Sequence, residues 1–139
     1  MKFSREADNS LPLFLIYFRL YWKWIHQFAQ HFGNTQEEVH HLFKKKFLVR
    51  IYVRESSDLN SKFDKQYAKT WEAIKGVKMA EMDEWQALSE GVIHATSTTD
   101  ADVTMFTEYL NEIYNFSQAQ GLWLSTPGDL KFAREMSEK

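Results

Sequence analysis

An apolar run near the start of the chain, residues 13–18 with the sequence LFLIYF, constrains the fold more than any other feature. It lies within residues 11–32, which the pattern predicts to form one helix with Ser10 as its N-cap and Gly33 just past its end. A helix that is apolar on every side must be buried on every side, and a chain of 139 residues offers few neighbours to cover it. The run therefore predicts an intertwined homodimer.

The same run is too short for a membrane span. Arg19 follows it directly, and Lys23 comes about a dozen residues after the predicted helix starts at Leu11, whereas a bilayer needs about 20 apolar residues. Glu6 and Asp8 stand where a signal peptide would be positively charged. Cysteine is absent from the sequence, which is compatible with a reducing compartment. We therefore expect a cytoplasmic protein that does not bind membranes.

The composition favours helices over sheets. Five glycines and two prolines are too few to punctuate the many hairpins of a sandwich or barrel. The length suits a single domain over residues 1–139. Within it we expect a flexible N-terminus at 1–10, a polar linker at 55–61 and a C-terminal tail at 129–139.

Further helices are predicted from caps and spacing. Thr35 and Glu38 form a capping box, which predicts the start of a second helix. Apolar residues at helical spacing predict three more helices, over about residues 63–76, 79–91 and 99–120.

Two other segments have the pattern of β-strands. The alternation in residues 47–54 predicts one strand, and residues 92–96 could pair with it. The inward side chains would be Val49, Ile51 and Val53, and the outward ones Arg50, Tyr52 and Arg54. The predicted fold class is therefore mainly α with a minor β component (α+β), with about five helices and one short two-stranded pairing.

The charges are distributed unevenly along the chain. Residues 1–78 carry 14 Lys and Arg against 8 Asp and Glu, a net +6, while residues 79–139 carry 3 against 11, a net −8. Such a split suggests a basic face for a polyanion and an acidic face for another partner, or two halves that attract each other across a dimer. The alternative is that the two halves simply present ordinary solvated faces of opposite net charge.

The strongest functional signal is the basic segment after the second helix. Five positive charges fall within eleven residues, a tyrosine lies among them, and a second row of lysines follows at i, i+3 and i+7. The residues are Lys44, Lys45, Lys46, Arg50, Tyr52, Arg54, Lys62, Lys65 and Lys69. Phosphates need dispersed cations and unpaired bases need aromatic faces, so this pattern favours single-stranded nucleic acid. A solvated lysine face is the alternative.

Catalytic and metal sites have little support in the sequence. Glu37 and His40 could place two ligands on one helical face, but a di-iron site needs two such pairs and two more carboxylates. The sequence contains no cysteine, no nucleophile elbow and no glycine-rich phosphate loop. We therefore predict no enzyme activity, no metal and no cofactor. A metal-dependent nuclease using His40, His41 or His94 is the alternative that stays open.

Three stretches resemble a known family. They are RLYW at residues 19–22, EVHHLFKKKFL at 38–48, and STT at 97–99 followed by FTEYL at 106–110 and GLWLSTPG at 121–128. In this order and spacing they are similar to the phage NinB-like recombination proteins, the Orf-like recombination mediators. The resemblance covers somewhat under half of the chain. Tyr17 and Phe18 stand where the family usually has Gln-Asn, and residues 55–92 have no counterpart.

The resemblance implies a small, mostly helical homodimer in the cytoplasm of the host cell. Such a protein would bind single-stranded or gapped DNA and help to load a recombinase, in competition with host single-strand-binding protein, without being an enzyme. The positions that match the family pattern are Tyr21, Trp22, His40, Phe43, Lys44, Lys46, Phe47, Ser97 and Thr98. Among them the aromatic residues would be core, Lys44 and Lys46 would contact DNA, and the role of His40 is open. A second hypothesis is a phage protein that captures a host protein through its acidic C-terminal half.

Overall fold

Helices make up all the regular secondary structure in the computed structural model, which describes residues 7–80 and 83–126, with side chains from residue 13 onward. The α-helices are α1 (Ala7–Phe32), α2 (Gln36–Phe43), α3 (Val49–Ser57), α4 (Gln66–Met79), α5 (Trp85–Ala95) and α6 (Val103–Ala119). A π-helical segment, Lys44–Leu48, joins α2 to α3, and a 3₁₀ turn, Thr98–Asp100, precedes α6.

The predicted two-stranded pairing was wrong. Residues 47–54 lie in the π segment and α3, residues 92–95 belong to α5, and no strand occurs within 7–80 or 83–126. The strand prediction failed because the same residues also fit a helix. Phe47, Leu48 and Ile51 are buried at helical spacing, while Arg50 is exposed. Over the described residues the fold is therefore all-α rather than α+β.

The helix ends follow their caps. The Thr35 hydroxyl accepts a hydrogen bond from the Glu38 N–H at 3.1 Å, and the Glu38 carboxylate accepts one from the Thr35 N–H at 2.8 Å, which confirms the capping box. Gly33, with φ +76°, ends α1 as predicted, because the Asn34 N–H donates to the carbonyl of Ala29 at 2.9 Å.

Other boundaries differ from those predicted. Helix α1 begins at Ala7, so Ser10 lies inside it and is not its N-cap. The linker predicted at 55–61 begins later, since α3 continues to Ser57. Helix α6 begins at Val103 instead of near Thr99, because the Asp102 carboxylate caps it by accepting from the Met105 N–H at 2.8 Å. Residues 1–6 and the tail at 129–139 lie outside the described residues.

The chain divides into two compact units, and the single domain expected over residues 1–139 stays a prediction. The first comprises Met1–Val39 with Phe106–Lys139, and the second comprises His40–Met105. The division falls inside α2 and α6.

The core of the first unit is aromatic. The hydroxyl groups of Tyr21 and Tyr109 are 2.9 Å apart, and the Tyr21 ring lies 5.8 Å from the ring of Phe106. The Trp24 indole N–H donates to the carbonyl of Ser125 at 2.6 Å, which holds the segment after α6 against α1. Burial raises the pKa of Tyr21, so this hydroxyl stays protonated.

The apolar run of α1 is covered on one side only within a single chain. Tyr17 is buried, whereas Leu15 is 49% exposed and Ile16 is 44% exposed. The homodimer inferred from this run therefore stays a prediction. None of the helices in the described ranges has both the length and the apolar composition required to cross a membrane.

In the second unit, α3 packs against α4 and α4 packs against α5. Its centre is built from Ile51, Tyr52, Ile74 and Ile93, all buried. The Tyr52 ring lies 4.4 Å from the ring of Phe63, in the loop before α4. This unit holds every residue of the basic segment.

Candidate nucleic-acid interface

Lys44 is the first residue of the π segment and points inward. Its ammonium group donates to the carbonyl oxygens of His94 at 3.1 Å and Thr96 at 3.0 Å, and the residue is only 4% exposed. Carbonyls at a helix C-terminus carry partial negative charge, so a cation is favourable at the end of α5. Burial lowers the pKa of Lys44. The ammonium group is thus bonded to backbone carbonyls and buried, at a position where the sequence predicts a contact with DNA.

Tyr52 is also turned inward, against the prediction that it faces solvent and stacks on a base. It is 1% exposed, and its hydroxyl donates to the carbonyl of Ser97 at 2.7 Å. The helical conformation of residues 49–57 causes the change, since it places position 52 on the same side as the buried Leu48 and Ile51.

A third side chain fixes the residues that follow α5. The Tyr67 hydroxyl lies 2.8 Å from the Thr96 hydroxyl, which itself donates to the carbonyl of Val92 at 2.7 Å. The Ser97 hydroxyl accepts from the Thr99 N–H at 3.2 Å. We call residues 96–100 the braced turn, because Lys44, Tyr52 and Tyr67 all hydrogen-bond to it. Burial raises the pKa of Tyr67, so its hydroxyl stays protonated.

The braced turn forms one wall of a cavity of about 500 Å³. Helices α4 and α5 supply the other walls, with Tyr67, Leu88 and Val92 among the apolar lining. The polar lining includes Asp64, Gln66 and Asp100. A second groove of about 450 Å³ shares Asp64, Tyr67 and Asp100 with the first and adds Lys62 and Phe63.

Exposed cations are concentrated on the same unit. Every lysine and arginine between residues 45 and 78 is exposed: Lys45, Lys46, Arg50, Arg54, Lys62, Lys65, Lys69, Lys75 and Lys78. The same stretch contains only four acidic residues, Glu55, Asp58, Asp64 and Glu72. We call the nine exposed lysines and arginines the cationic surface. The sequence interpretation included seven of them and omitted Lys75 and Lys78, although both lie in the positive half of the chain.

Several of these cations also have intramolecular partners. Lys45 lies 3.3 Å from a Glu90 carboxylate oxygen, and Arg54 lies 3.0 Å from that of Glu55. The Lys65 ammonium donates to the carbonyls of Asp58 and Ser61 and so closes the loop before α4. Lys78 lies 4.6 Å from the centre of the Trp85 ring. Exposed pairs of this kind stabilise weakly and leave the charges accessible to solvent.

The three histidines named for a nuclease have different surroundings. The His41 ring nitrogen lies 2.8 Å from a Glu90 carboxylate oxygen, and this hydrogen bond, followed by that from Lys45, lowers the pKa of Glu90. Burial, then the charges of Lys44 and His41, lower the pKa of His40 to about 4. The side chain of His94 is exposed. Within 7–80 and 83–126, no group of three His, Asp or Glu is arranged to hold a metal ion.

The residues of the family pattern fall in two places. Tyr21 is buried in the first unit beside the half-buried Trp22. Phe43 and Phe47 are buried in the second unit, with ring centres 6.3 Å apart. Ser97 and the buried Thr98 belong to the braced turn.

The cavity was missed by sequence reasoning. Its lining comes from α4, α5 and the braced turn, and Tyr67 fits equally well into an ordinary apolar stripe of a helix. No known family model, curated protein or solved structure matches this chain.

Proposed function

We propose that this chain binds single-stranded nucleic acid through the cationic surface and acts without catalysis as an accessory protein of phage recombination. The observation that carries the proposal is the concentration of nine exposed cations against four acids between residues 45 and 78. Neutralised phosphates release condensed counterions, which drives binding of any strand regardless of its sequence. In this role the protein would act beside a host single-strand-binding protein and a recombinase.

The contacts with phosphate would come from side chains on the π segment, α3, the following loop and α4. Lys45, Lys46, Arg50, Lys62 and Lys69 have exposed positions on these elements. Lys44 and Tyr52 are left out of the proposed contacts because they are buried. They act indirectly, since they position the braced turn.

A salt titration tests this proposal. Binding of a fluorescently labelled oligo-dT strand should weaken steeply as salt is raised. The double variant Lys62→Ala with Lys69→Ala should reduce the slope of log affinity against log salt by about 1.4, because each lost phosphate contact removes about 0.7 for a single strand.

The matched control is Arg19→Ala with Lys23→Ala, which removes two exposed cations from α1 in the first unit. This control should keep the slope of the unmodified protein. Absence of binding at low salt, or an equal loss of slope in both double variants, would overturn the proposal.

The second candidate function is capture of a host protein through the acidic half. Two carboxylates of this acidic half have structural roles. Glu90 binds His41 and Lys45, and Asp102 caps α6. We therefore favour nucleic acid. A pull-down from host lysate separates the two, since a partner retained after nuclease treatment indicates direct protein contact and a partner lost indicates bridging by nucleic acid.

A further inference from the structure

The cavity in the second unit has the chemistry of a site for a planar, polar molecule. Its volume of about 500 Å³ falls in the usual range for small-molecule sites, about 300–1,000 Å³. Tyr67, Leu88 and Val92 offer surfaces against which a flat ring can pack. Asp64 and Asp100 add hydrogen-bond acceptors, which fix the orientation of whatever binds.

The wall that carries Asp100 is held in place before any ligand arrives. Lys44 binds the carbonyl of Thr96, Tyr52 binds that of Ser97, and Tyr67 binds the hydroxyl of Thr96. A site that is already ordered loses little conformational entropy on binding. Positioning of the braced turn is a role that the buried Lys44 and Tyr52 can have, whereas surface contact with DNA is not.

The two carboxylates differ in their availability. One oxygen of Asp64 already accepts the N–H of Gln66 at 3.0 Å, at the start of α4. The carboxylate of Asp100 has no hydrogen bond or ion pair with any residue in the described ranges. Asp100 can therefore present both of its oxygens to a ligand.

We propose that this cavity binds a guanine base of the single strand, an inference that rests on the function proposed above. Guanine presents two neighbouring donors, N1–H and the 2-amino group, which match the two oxygens of one carboxylate, here Asp100. Thymine has no amino group, and adenine has no N–H beside its amino group on this edge. The ring of Tyr67 supplies stacking, which every base accepts.

The neighbouring cations suit the phosphates of the same nucleotide. Lys62 lines the second groove, which shares Asp64, Tyr67 and Asp100 with the cavity. Lys69 lies on α4, the helix that also carries Tyr67 and Thr70 of the cavity wall. A strand that follows the cationic surface thus passes the mouth of the cavity, where one base can turn inward while its phosphates stay with the lysines.

The test compares a short oligo-dT strand with strands that carry one central guanine or one central adenine. The unmodified protein should bind the guanine strand about tenfold more tightly than oligo-dT, the discrimination expected of one good bidentate contact. Asp100→Asn should abolish this preference and leave oligo-dT binding unchanged. Lys69→Ala should weaken all three strands by the same factor.

A second variant blocks the cavity without touching its polar groups. Gly91 lies in α5 on the cavity wall, and a Cβ atom added there meets no heavy atom within 4 Å. Thermal unfolding checks that Gly91→Phe keeps the fold, and the folded variant should lose the guanine preference while it keeps oligo-dT binding.

The outcomes separate the two proposals. If no strand binds at low salt, the proposed function fails and the guanine site fails with it. If all three strands bind equally, only the guanine site is overturned. Equal preference for guanine and adenine over oligo-dT would indicate stacking alone and would overturn the role of Asp100.

Discussion

The ammonium nitrogen of Lys44 lies 3.0 Å from the carbonyl oxygen of Thr96, a residue 52 positions later in the chain. This contact joins the π segment to the end of α5 and leaves Lys44 almost wholly buried. A π-helical turn accommodates one extra residue, and such insertions are common at functional sites. Here the π segment carries a charged residue whose function is to hold the braced turn.

Lys44→Met should destabilise the protein by about 2–3 kcal/mol. Methionine keeps most of the volume of the side chain, but the carbonyls of His94 and Thr96 lose their charged donor. Urea denaturation measures the difference in the free energy of unfolding. The control is Lys69→Met, which changes an exposed lysine and should alter that energy by no more than about 0.5 kcal/mol. Equal stability of the two variants would contradict a bracing role for Lys44.

Sequence patterns correctly predicted the helix end at Gly33 and the helix start at Thr35, but not the conformation of the short apolar segment 47–54. The capping box at Thr35 and Glu38 and the glycine stop at Gly33 are both present, because each depends on bonds between residues at most five apart. Residues 47–54 satisfy a period of two and a helical stripe at once, and periodicity alone cannot choose between them. The choice depends on distant partners, such as the carbonyl of Ser97 for Tyr52.

The candidate site could be predicted only in part for the same reason. Composition located the basic segment, but Lys44, Lys45 and Lys46 are identical neighbours, and only the fold buries the first. The cavity could not be foreseen, since Tyr67 is distant in sequence from Val92 and Asp100 and the three residues have no local signature.

Lowering the pH should destabilise the protein through His40. The folded chain holds the pKa of His40 at about 4, against an ordinary value of 6.5, through burial and then the charges of Lys44 and His41. Between these values the unfolded chain binds a proton that the folded chain does not, so this contribution to stability is complete above pH 6.5 and is lost as the pH falls toward 4. Since His40 is partly exposed, we expect a loss of about 1–2 kcal/mol.

His40→Gln removes this titration and should make the free energy of unfolding less dependent on pH. Urea denaturation at neutral pH and near pH 5, on the unmodified chain and on the variant, gives the comparison. If both proteins lose the same free energy of unfolding between the two conditions, His40 is not the group responsible.

Two glycines should respond in opposite directions to the same substitution. Gly91 lies inside α5 with open space around its Cβ position, so Gly91→Ala should stabilise the protein by about 0.5–1 kcal/mol through helix propensity. Gly33 has φ +76°, where an L side chain is strained, so Gly33→Ala should destabilise it by about 1 kcal/mol or more. Thermal unfolding of the two variants measures both effects. A stabilising Gly33→Ala would contradict the left-handed conformation at the end of α1.

Self-association should depend on the uncovered side of α1. Leu15 and Ile16 are adjacent and each nearly half exposed, and burial of such side chains in a second copy gains about 25 cal/mol for each Å² of apolar area removed from water. Light scattering coupled to size-exclusion chromatography should therefore show a dimer. Leu15→Ser with Ile16→Ser should shift it toward the monomer, whereas Leu59→Ser, which changes an exposed leucine in the loop after α3, should not. A monomer at all concentrations of the unmodified chain would show that α1 needs no second copy to cover its apolar run.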